Sequence, residues 1–221
     1  MAKKPPKPAP RGRYHHGDLR TALLAAAAEL VRQDGAAAFS LREAARKVGV
    51  DPAASYRHFR DRGEVLLALA QQGFEALAAD ITKAVAAAGA VEPELALAVM
   101  GKRYVRFALA HPAEFRVMFG ESGTTAQDPR LRLPTIPRTA YEQLEDLVGA
   151  WNRQGKHGLD VTLCARALWA GVHGLARLLL DGALVLDEAE TDALVETLIE
   201  SLLRGLPKPE AAQQVAKRRR K

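Results

Sequence analysis

The sequence predicts an all-α protein with a small N-terminal domain and a larger C-terminal helical bundle. Apolar residues recur at helical spacing along most of the 221 residues, and the alternation typical of strands is nearly absent. Glycine and proline lie between the apolar stretches, where they are typical of helix ends. With 48% hydrophobic residues, a chain of this length can bury a core in each of two domains.

The first predicted helix follows the segment Arg13 to Leu19. Its apolar positions are Leu19, Leu23, Ala26 or Ala27, and Leu30. Asp34 and Gly35 end the pattern, because glycine readily takes the backbone conformation that follows a helix.

The second predicted helix begins at Leu41. Ser40 followed three residues later by Glu43 is the pattern of a capping box, in which the two residues satisfy free backbone N–H groups reciprocally. One apolar stripe then consists of Leu41, Ala44, Ala45 and Val48. Gly49 ends the helix.

A third short helix is predicted from Pro52 to Phe59. Asp51 suits the N-cap, and Pro52 suits the first helical position, where a missing N–H has no cost. Two short helices joined by a glycine turn form a helix-turn-helix, whose usual partner is DNA. Such pairs are also common in helical proteins that do not bind DNA.

The third helix has one face that suits DNA recognition. If Val50 and Phe59 point into the core, helical spacing turns Ser55 inward. Ala53, Ala54 and Arg57 then point outward, where two alanines let the backbone approach a groove and arginine can read guanine. The flanking side chains suit phosphate contacts and are Tyr56, His58, Arg60 and Arg62.

The rest of the chain is predicted to form a second helical domain. Its helices start near Asp61 to Glu64 and continue at 93–111, 112–119, about 135–154, 161–180 and 188–203. The helix at 161–180 has two apolar stripes side by side, and the last helix is similarly broad. We expect this pair to complete a four-helix bundle with a second copy across a two-fold axis.

The N-terminal third resembles the DNA-binding domain of the tetracycline-repressor-like (TetR) family. The similarity extends from about Asp18 to Ala79 and rests on Ser40, Gly49-Val50, and Tyr56-x-His58-Phe59 followed by a basic residue. It implies a homodimer that binds a palindromic operator and represses transcription until a small molecule binds the C-terminal domain. The DNA contacts that it implies are Ser40, Arg42, Ala53, Ala54, Tyr56, Arg57, His58 and Arg62. Ser55 stands where family members often carry leucine.

The C-terminal part resembles the Trp-His-Gly type of TetR domain. The similar segments are HPAEFRVMFG, at 111–120, and LWAGVHGLARLLLDG, at 168–182. Predicted effector contacts are Phe115, Met118, Phe119, Arg166, Trp169, His173 and Arg177, with the arginines and histidine meeting a polar group. In the alternative interpretation, the aromatics are ordinary core and His173 is a hydrogen-bonded helix or interface histidine.

Charge is distributed unevenly along the chain. Residues 1–17 and 208–221 each carry +5, residues 18–62 carry +2, and residues 63–207 carry −6, which together give the net charge of +6. Basic charge near the helix-turn-helix fits a phosphate-binding end. The predicted domains are therefore a disordered basic arm at 1–17, a DNA-binding domain at 18–63, an effector and dimerisation domain at 64–206, and a disordered basic tail at 207–221. The tails are either solvated or DNA-contacting.

Other classes of protein fit less well. Cys164 is the only cysteine, so no internal disulfide or cysteine-based metal cluster is possible, and His15-His16 diverge on a helix. No Gly-rich phosphate loop or paired carboxylates appear, so we expect no enzyme, no metal and no cofactor. Neither a signal peptide nor a membrane span is predicted, which favours a cytoplasmic protein. The remaining alternative is an architectural DNA-binding protein without an effector.

Overall fold

The computed structural model describes residues 16–89, 92–120 and 140–205. Over these residues the fold is helical and contains no strand, which confirms the predicted fold class. The helices are α1 (His16–Ala38), α2 (Leu41–Val48), α3 (Pro52–Ser55), α4 (Arg62–Ala87), α5 (Pro93–Ala110), α6 (Pro112–Met118), α7 (Ala140–Gln154), α8 (Val161–Leu180) and α9 (Glu188–Gly205). The predicted basic tails and the start of the 135–154 helix lie outside the described residues.

The chain divides into two compact units between Val65 and Leu66. In the first unit α2 packs against α1 and α3. Its buried side chains include Leu23, Leu30, Phe39, Leu41 and Phe59. Gly35, at φ 81° and ψ 159°, interrupts α1 where the first helix was predicted to end. The last residues of α1 therefore follow a kink.

The start of α2 differs from the prediction. Leu41 begins the helix as expected, but the Ser40 side chain makes no capping hydrogen bond. The Ser40 carbonyl instead accepts from the backbone N–H groups of Glu43 and Ala44, both at 3.1 Å. The capping box predicted at Ser40 and Glu43 is therefore wrong, because the backbone alone starts this helix.

The end of α2 is a Schellman motif. Gly49 has φ 77° and ψ 27°, its N–H donates to the Arg46 carbonyl, and the Val50 N–H donates to the Ala45 carbonyl. The glycine turn of the helix-turn-helix is thus held by two backbone hydrogen bonds, each 3.0 Å long.

Two side-chain carboxylates accept backbone N–H groups at the start of α4. The Asp61 carboxylate accepts from the Glu64 N–H at 2.9 Å, and the Glu64 carboxylate accepts from the Arg60 N–H at 2.7 Å. The bond from Glu64 to Asp61 has the spacing predicted for Ser40 and Glu43, with an aspartate in the first position, whereas the Glu64 carboxylate bonds the residue before Asp61.

The second unit is built around α5. This helix packs against α6, α7, α8 and α9, and α8 also packs against α7 and α9. The largest buried side chains of this unit include Leu77, Ile81, Leu97, Val105 and Phe115. Ion pairs on its surface join α4 to α5 and α5 to α9: Arg103 with Asp80, Lys102 with Glu196, and Arg106 with Asp192 and Glu188.

Helix α8 alone among the described helices is long and apolar enough to span a membrane. Length and composition are the only grounds, and core helices of globular proteins often meet them. Here Ala165, Leu168, Val172 and Ala176 face the core of the second unit. Packing on its inner side therefore accounts for part of the apolar character of α8, and Leu163 and Leu178 remain exposed.

Candidate nucleic-acid interface and candidate ligand cavity

Helix α3 presents a mostly exposed outer face. Ala53, Tyr56 and Arg57 are exposed, whereas Ala54 and His58 are half-buried. The Asp51 carboxylate accepts from the Ala53 N–H at 2.7 Å, so the predicted cap is present. The helix itself ends at Ser55, and the chain continues to Phe59 in turns rather than as the longer predicted helix.

Ser55 is turned inward and fully buried. Its hydroxyl donates to the Pro52 carbonyl at 2.6 Å, so this buried polar group is satisfied. The Phe59 ring is also buried, and the Arg20 guanidinium lies 4.8 Å from its centroid. The inner face of α3 is therefore fixed by Phe59 and by a local hydrogen bond.

The predicted DNA contacts differ in their exposure and in their hydrogen-bond partners. Arg42 is exposed on α2, and Ser40 before it is half-buried. Arg62 is half-buried, and its guanidinium donates to the Ala36 carbonyl at the end of α1. Arg62 thus ties α4 to α1 within the first unit, which distinguishes it from the outward-facing Arg57.

The second unit contains an apolar cavity of about 50 Å³. Its aromatic lining consists of Phe74, Tyr104, Phe119, Tyr141 and Trp169. Its aliphatic lining includes Leu77, Leu97, Met100, Leu144, Leu168, Val172 and Ile199. Helices α4, α5, α7, α8 and α9 all contribute, so the cavity lies in the middle of the bundle.

One polar group of the cavity wall is part of a buried network. The Tyr104 hydroxyl lies 2.8 Å from Nδ1 of His173, and Nε1 of Trp169 donates to that hydroxyl at 3.3 Å. Burial raises the pKa of Tyr104 and lowers the pKa of His173. Both groups are therefore neutral near pH 7, and His173 fits the alternative of a hydrogen-bonded histidine.

Two of the predicted effector residues, Phe119 and Trp169, line the cavity. Phe115 and Met118 are buried in the same core but do not line it. The His173 ring packs between Phe115 and Phe119, with centroids 5.6 and 4.5 Å away. These aromatic side chains form the support behind the cavity wall.

Arg166 and Arg177, two predicted effector contacts, are not among the residues that line the cavity. Arg166 is exposed, and Arg177 pairs with Asp181 one turn later at 3.3 Å. Because Ala165, Leu168 and Val172 take the inward face of α8, the helical period turns Arg166 to the outside.

Sequence reasoning missed the lining from the other helices. Phe74 on α4, Leu97 and Met100 on α5, and Tyr141 on α7 all face the cavity. Each belongs to an apolar stripe that is indistinguishable from ordinary core. The number of aromatic residues in this domain could have indicated a cavity, but it does not specify which of them line it.

The described part of the chain gives little support for metal binding or for a reactive cysteine. Within it, no group of three or more His, Cys, Asp or Glu side chains is placed to hold a metal ion. Burial raises the pKa of the Cys164 thiol, which disfavours the reactive thiolate.

A helix-turn-helix unit followed by a helical bundle with an internal cavity is the architecture of a class of bacterial transcriptional regulators. Two family models match the chain: "Bacterial regulatory proteins, tetR family" at residues 23–69, and "Tetracyclin repressor-like, C-terminal domain" at residues 97–202. The chain therefore belongs to the TetR family of DNA-binding transcriptional regulators.

Solved structures give the same result. A protein of unknown function from Rhodococcus sp. RHA1 is 34% identical, with 89% of this chain and 99% of that chain covered and a TM-score of 0.74. The TetR family regulator PfmR from Thermus thermophilus is 25% identical over 84% and 98% of the two chains, with a TM-score of 0.60. A tetR-family regulatory protein from Rhodococcus RHA1, 20% identical over 84% and 95%, shares the fold with a TM-score of 0.61. The comparison with curated proteins gave no match.

Proposed function

We propose that this regulator is a homodimeric repressor that binds a palindromic operator and is released by a small molecule in the cavity. The proposal rests on the apolar cavity in the second unit, combined with the exposed side chains of Ala53 and Arg57 in the first. Cavities lined by apolar and aromatic side chains are the usual form of small-molecule sites. The protein acts in the cytoplasm, where the operator is, and needs neither a cofactor nor a catalytic step.

Base recognition is assigned to the outer face of α3. Ala53 and Ala54 carry short side chains that permit close approach to the groove floor, and Arg57 reads a guanine edge. Tyr56, His58, Ser40 and Arg42 contact phosphates on either side and fix the register of the domain. Arg62 contributes through its bond to the Ala36 carbonyl, which holds α4 against α1, in addition to its charge.

Dimerisation is assigned to the outer faces of α8 and α9. Leu163 and Leu178 are 56% and 50% exposed, and Leu194 is 38% exposed. By helical spacing, Leu163, Ala170, Gly174 and Leu178 lie on one face of α8, opposite the face that enters the core. A Cβ added at Gly174 would meet nothing within 4 Å, so this face is open to a second copy. Two helices from each subunit then form a four-helix bundle.

Release of DNA is assigned to α4. Phe74 and Leu77 on this helix line the cavity, and its first residue, Arg62, directly follows the helix-turn-helix in sequence. A ligand that displaces Phe74 therefore biases the position of α4. In a dimer, such a shift changes the separation of the two α3 helices and weakens binding to a fixed pair of half-sites.

The test is recovery of the operator followed by ligand titration. In vitro selection from random duplexes should recover a palindrome with half-sites one helical turn or a multiple apart. Locating that palindrome in the source genome then identifies neighbouring genes, whose substrates or products are the ligands to titrate. Loss of operator affinity with a saturable ligand dependence supports the proposal. Selected sites without two-fold symmetry contradict the dimer, and operator affinity that no bound ligand changes favours an architectural protein.

A further inference from the structure

We infer that the cavity accepts an uncharged, largely apolar effector and rejects the carboxylate of the same size and shape. This inference rests on the proposed function, since it specifies the ligand of the same site. It is drawn from the charges of the lining and from the partners of the ionic groups around it.

No described residue that lines the cavity carries a formal charge at neutral pH. The polar side-chain groups in that lining are those of Tyr104, Tyr141 and Trp169, and all are neutral. Two of them already bond to each other, because Trp169 Nε1 donates to the Tyr104 hydroxyl. Such groups can accommodate a hydroxyl or a carbonyl, but they supply no counter-charge to a carboxylate.

Two arginines of α5 beside the lining are already paired. Arg103, next to Tyr104 in sequence, makes a bidentate pair with Asp80, with N–O distances of 2.6 and 3.1 Å. Arg106, one turn later on α5, holds Asp192 and Glu188. Directing either guanidinium to a ligand would leave a partly buried carboxylate without its partner.

His173 and Arg166 also fail to neutralise an anion. His173 is neutral near pH 7, because burial lowers its pKa, and its Nδ1 is already engaged with the Tyr104 hydroxyl at 2.8 Å. Arg166 is exposed and lies near the Tyr141 hydroxyl, but Glu145 lies near the same hydroxyl. An anion in the cavity would therefore lose its hydration without gaining an unopposed positive charge.

The wall can still adapt to a ligand larger than the empty space. Met100 is unbranched and lines the cavity, and methionine side chains rearrange at little cost. Phe74 and Phe119 meet edge to face, with centroids 5.4 Å apart, and separate when a ring or chain enters between them. Shape is therefore less restrictive here than charge.

The experiment compares matched alcohols and carboxylates by Trp169 fluorescence. The chain has two tryptophans, and Trp151 lies at the end of α7 stacked on His157, so Trp151→Phe isolates the signal of Trp169 in the cavity wall. The probes are 1-hexanol against hexanoate, and cyclohexylmethanol against cyclohexanecarboxylate, at pH 7.5. We expect saturable changes with the alcohols and at least tenfold weaker binding of the acids. Equal or tighter binding of the acids overturns the inference, and so does failure of both alcohols.

A charge introduced into the wall should reverse the preference. Met100→Lys places an ammonium in the cavity and is expected to favour the carboxylates, whereas Leu95→Lys, at an exposed position of the same helix, should bind like the parent. If Met100→Lys does not fold, the comparison of probes on the parent still decides. Unchanged preference in a folded Met100→Lys variant overturns the location of the site.

Operator binding separates the two proposals. Alcohols that bind the cavity without changing operator affinity leave the ligand class standing and contradict the proposed release. Carboxylates that bind the cavity and release the operator would support the proposed release and contradict the inferred ligand class.

Discussion

The Tyr104 hydroxyl lies 2.8 Å from Nδ1 of His173 while accepting a hydrogen bond from Trp169. Burial lowers the pKa of His173, so the imidazole is neutral near pH 7. With Trp169 as its donor, the phenol has its one proton available for Nδ1, an arrangement in which the imidazole proton is on Nε2. Protonation of Nδ1 would set two donors against each other in a buried aromatic cluster.

The first prediction concerns stability below pH 7. Burial lowers the folded-state pKa of His173 from 6.5, so the unfolded chain binds a proton first as the pH falls. The free energy of unfolding should therefore decrease below about pH 6.5 until the folded-state pKa is passed, and this contribution should be constant at higher pH. Urea unfolding monitored by circular dichroism between pH 5 and pH 8 measures it.

The matched variants are His173→Gln and His111→Gln. His173→Gln should flatten this dependence and lower the stability at pH 8 by about 1–3 kcal/mol, because the Tyr104 hydroxyl loses its acceptor. His111 is exposed in the same unit, and its replacement should retain the parental dependence. A His173→Gln profile identical to that of the parent would contradict the role of this histidine.

The second prediction contrasts two helix starts of similar sequence pattern. Asp61→Ala should cost about 1 kcal/mol, because the Asp61 carboxylate caps the Glu64 N–H. Ser40→Ala should change the free energy of unfolding much less, because the Ser40 side chain makes no capping bond. Chemical denaturation of both variants provides the comparison. An equal loss at the two positions would show that Ser40 caps α2 in solution.

The third prediction separates Arg57 from Arg62. Under the proposed reading of a guanine by exposed Arg57, Arg57→Ala should cost about 1–3 kcal/mol of operator affinity and relax base preference at one position. Selection of binding sites by the variant tests it, and an unchanged consensus would rule out base reading.

Arg62→Ala should weaken binding to all sequences alike and also lower the stability of the protein. The phosphate contact accounts for the first effect and would flatten the dependence of affinity on salt. The lost bond to the Ala36 carbonyl accounts for the second. A salt titration of operator affinity measures the first effect, and a denaturation curve measures the second. Reduced stability with an unaltered salt dependence would leave Arg62 with only its structural role.

The fourth prediction concerns assembly. Leu178→Glu places a charge on the exposed face of α8 and should shift the protein from dimer to monomer, with loss of operator binding at nanomolar concentration. Leu95→Glu, at an equally exposed position of α5, should leave the mass unchanged. Light scattering at micromolar concentration measures both. A parent protein that is monomeric under these conditions would contradict the dimer.

The local features were the most predictable from sequence, though not uniformly. The roles of Gly49 and Asp51 could be predicted from the sequence because both act locally. Gly49 adopts the positive φ that ends α2, and the Asp51 carboxylate accepts from an N–H two residues later. Ser40 shows the limit, since the capping pattern permits a side-chain bond that the folded chain does not make. Ser55 was an anomaly in sequence, and it is resolved by a partner only three residues away.

The site in the second unit was less predictable. Phe119 and Trp169 were found because the segments that contain them resemble a known domain, whereas Phe74, Met100 and Tyr141 come from helices far apart in sequence. Arg166 lies outside the lining, because the packing of the neighbouring helices sets which stripe of α8 faces inward.

The sequence by itself determined the helices, the helix-turn-helix with its outward alanines and arginine, and the family of the protein. These follow from interactions within a few residues and from short motifs. Only the tertiary structure decided which apolar residues enclose a cavity, that His173 is bonded to Tyr104, and that Arg62 reaches Ala36. The physical reason is that hydrophobic burial is non-directional, so an apolar stripe specifies that a side chain is buried but not which partner it meets.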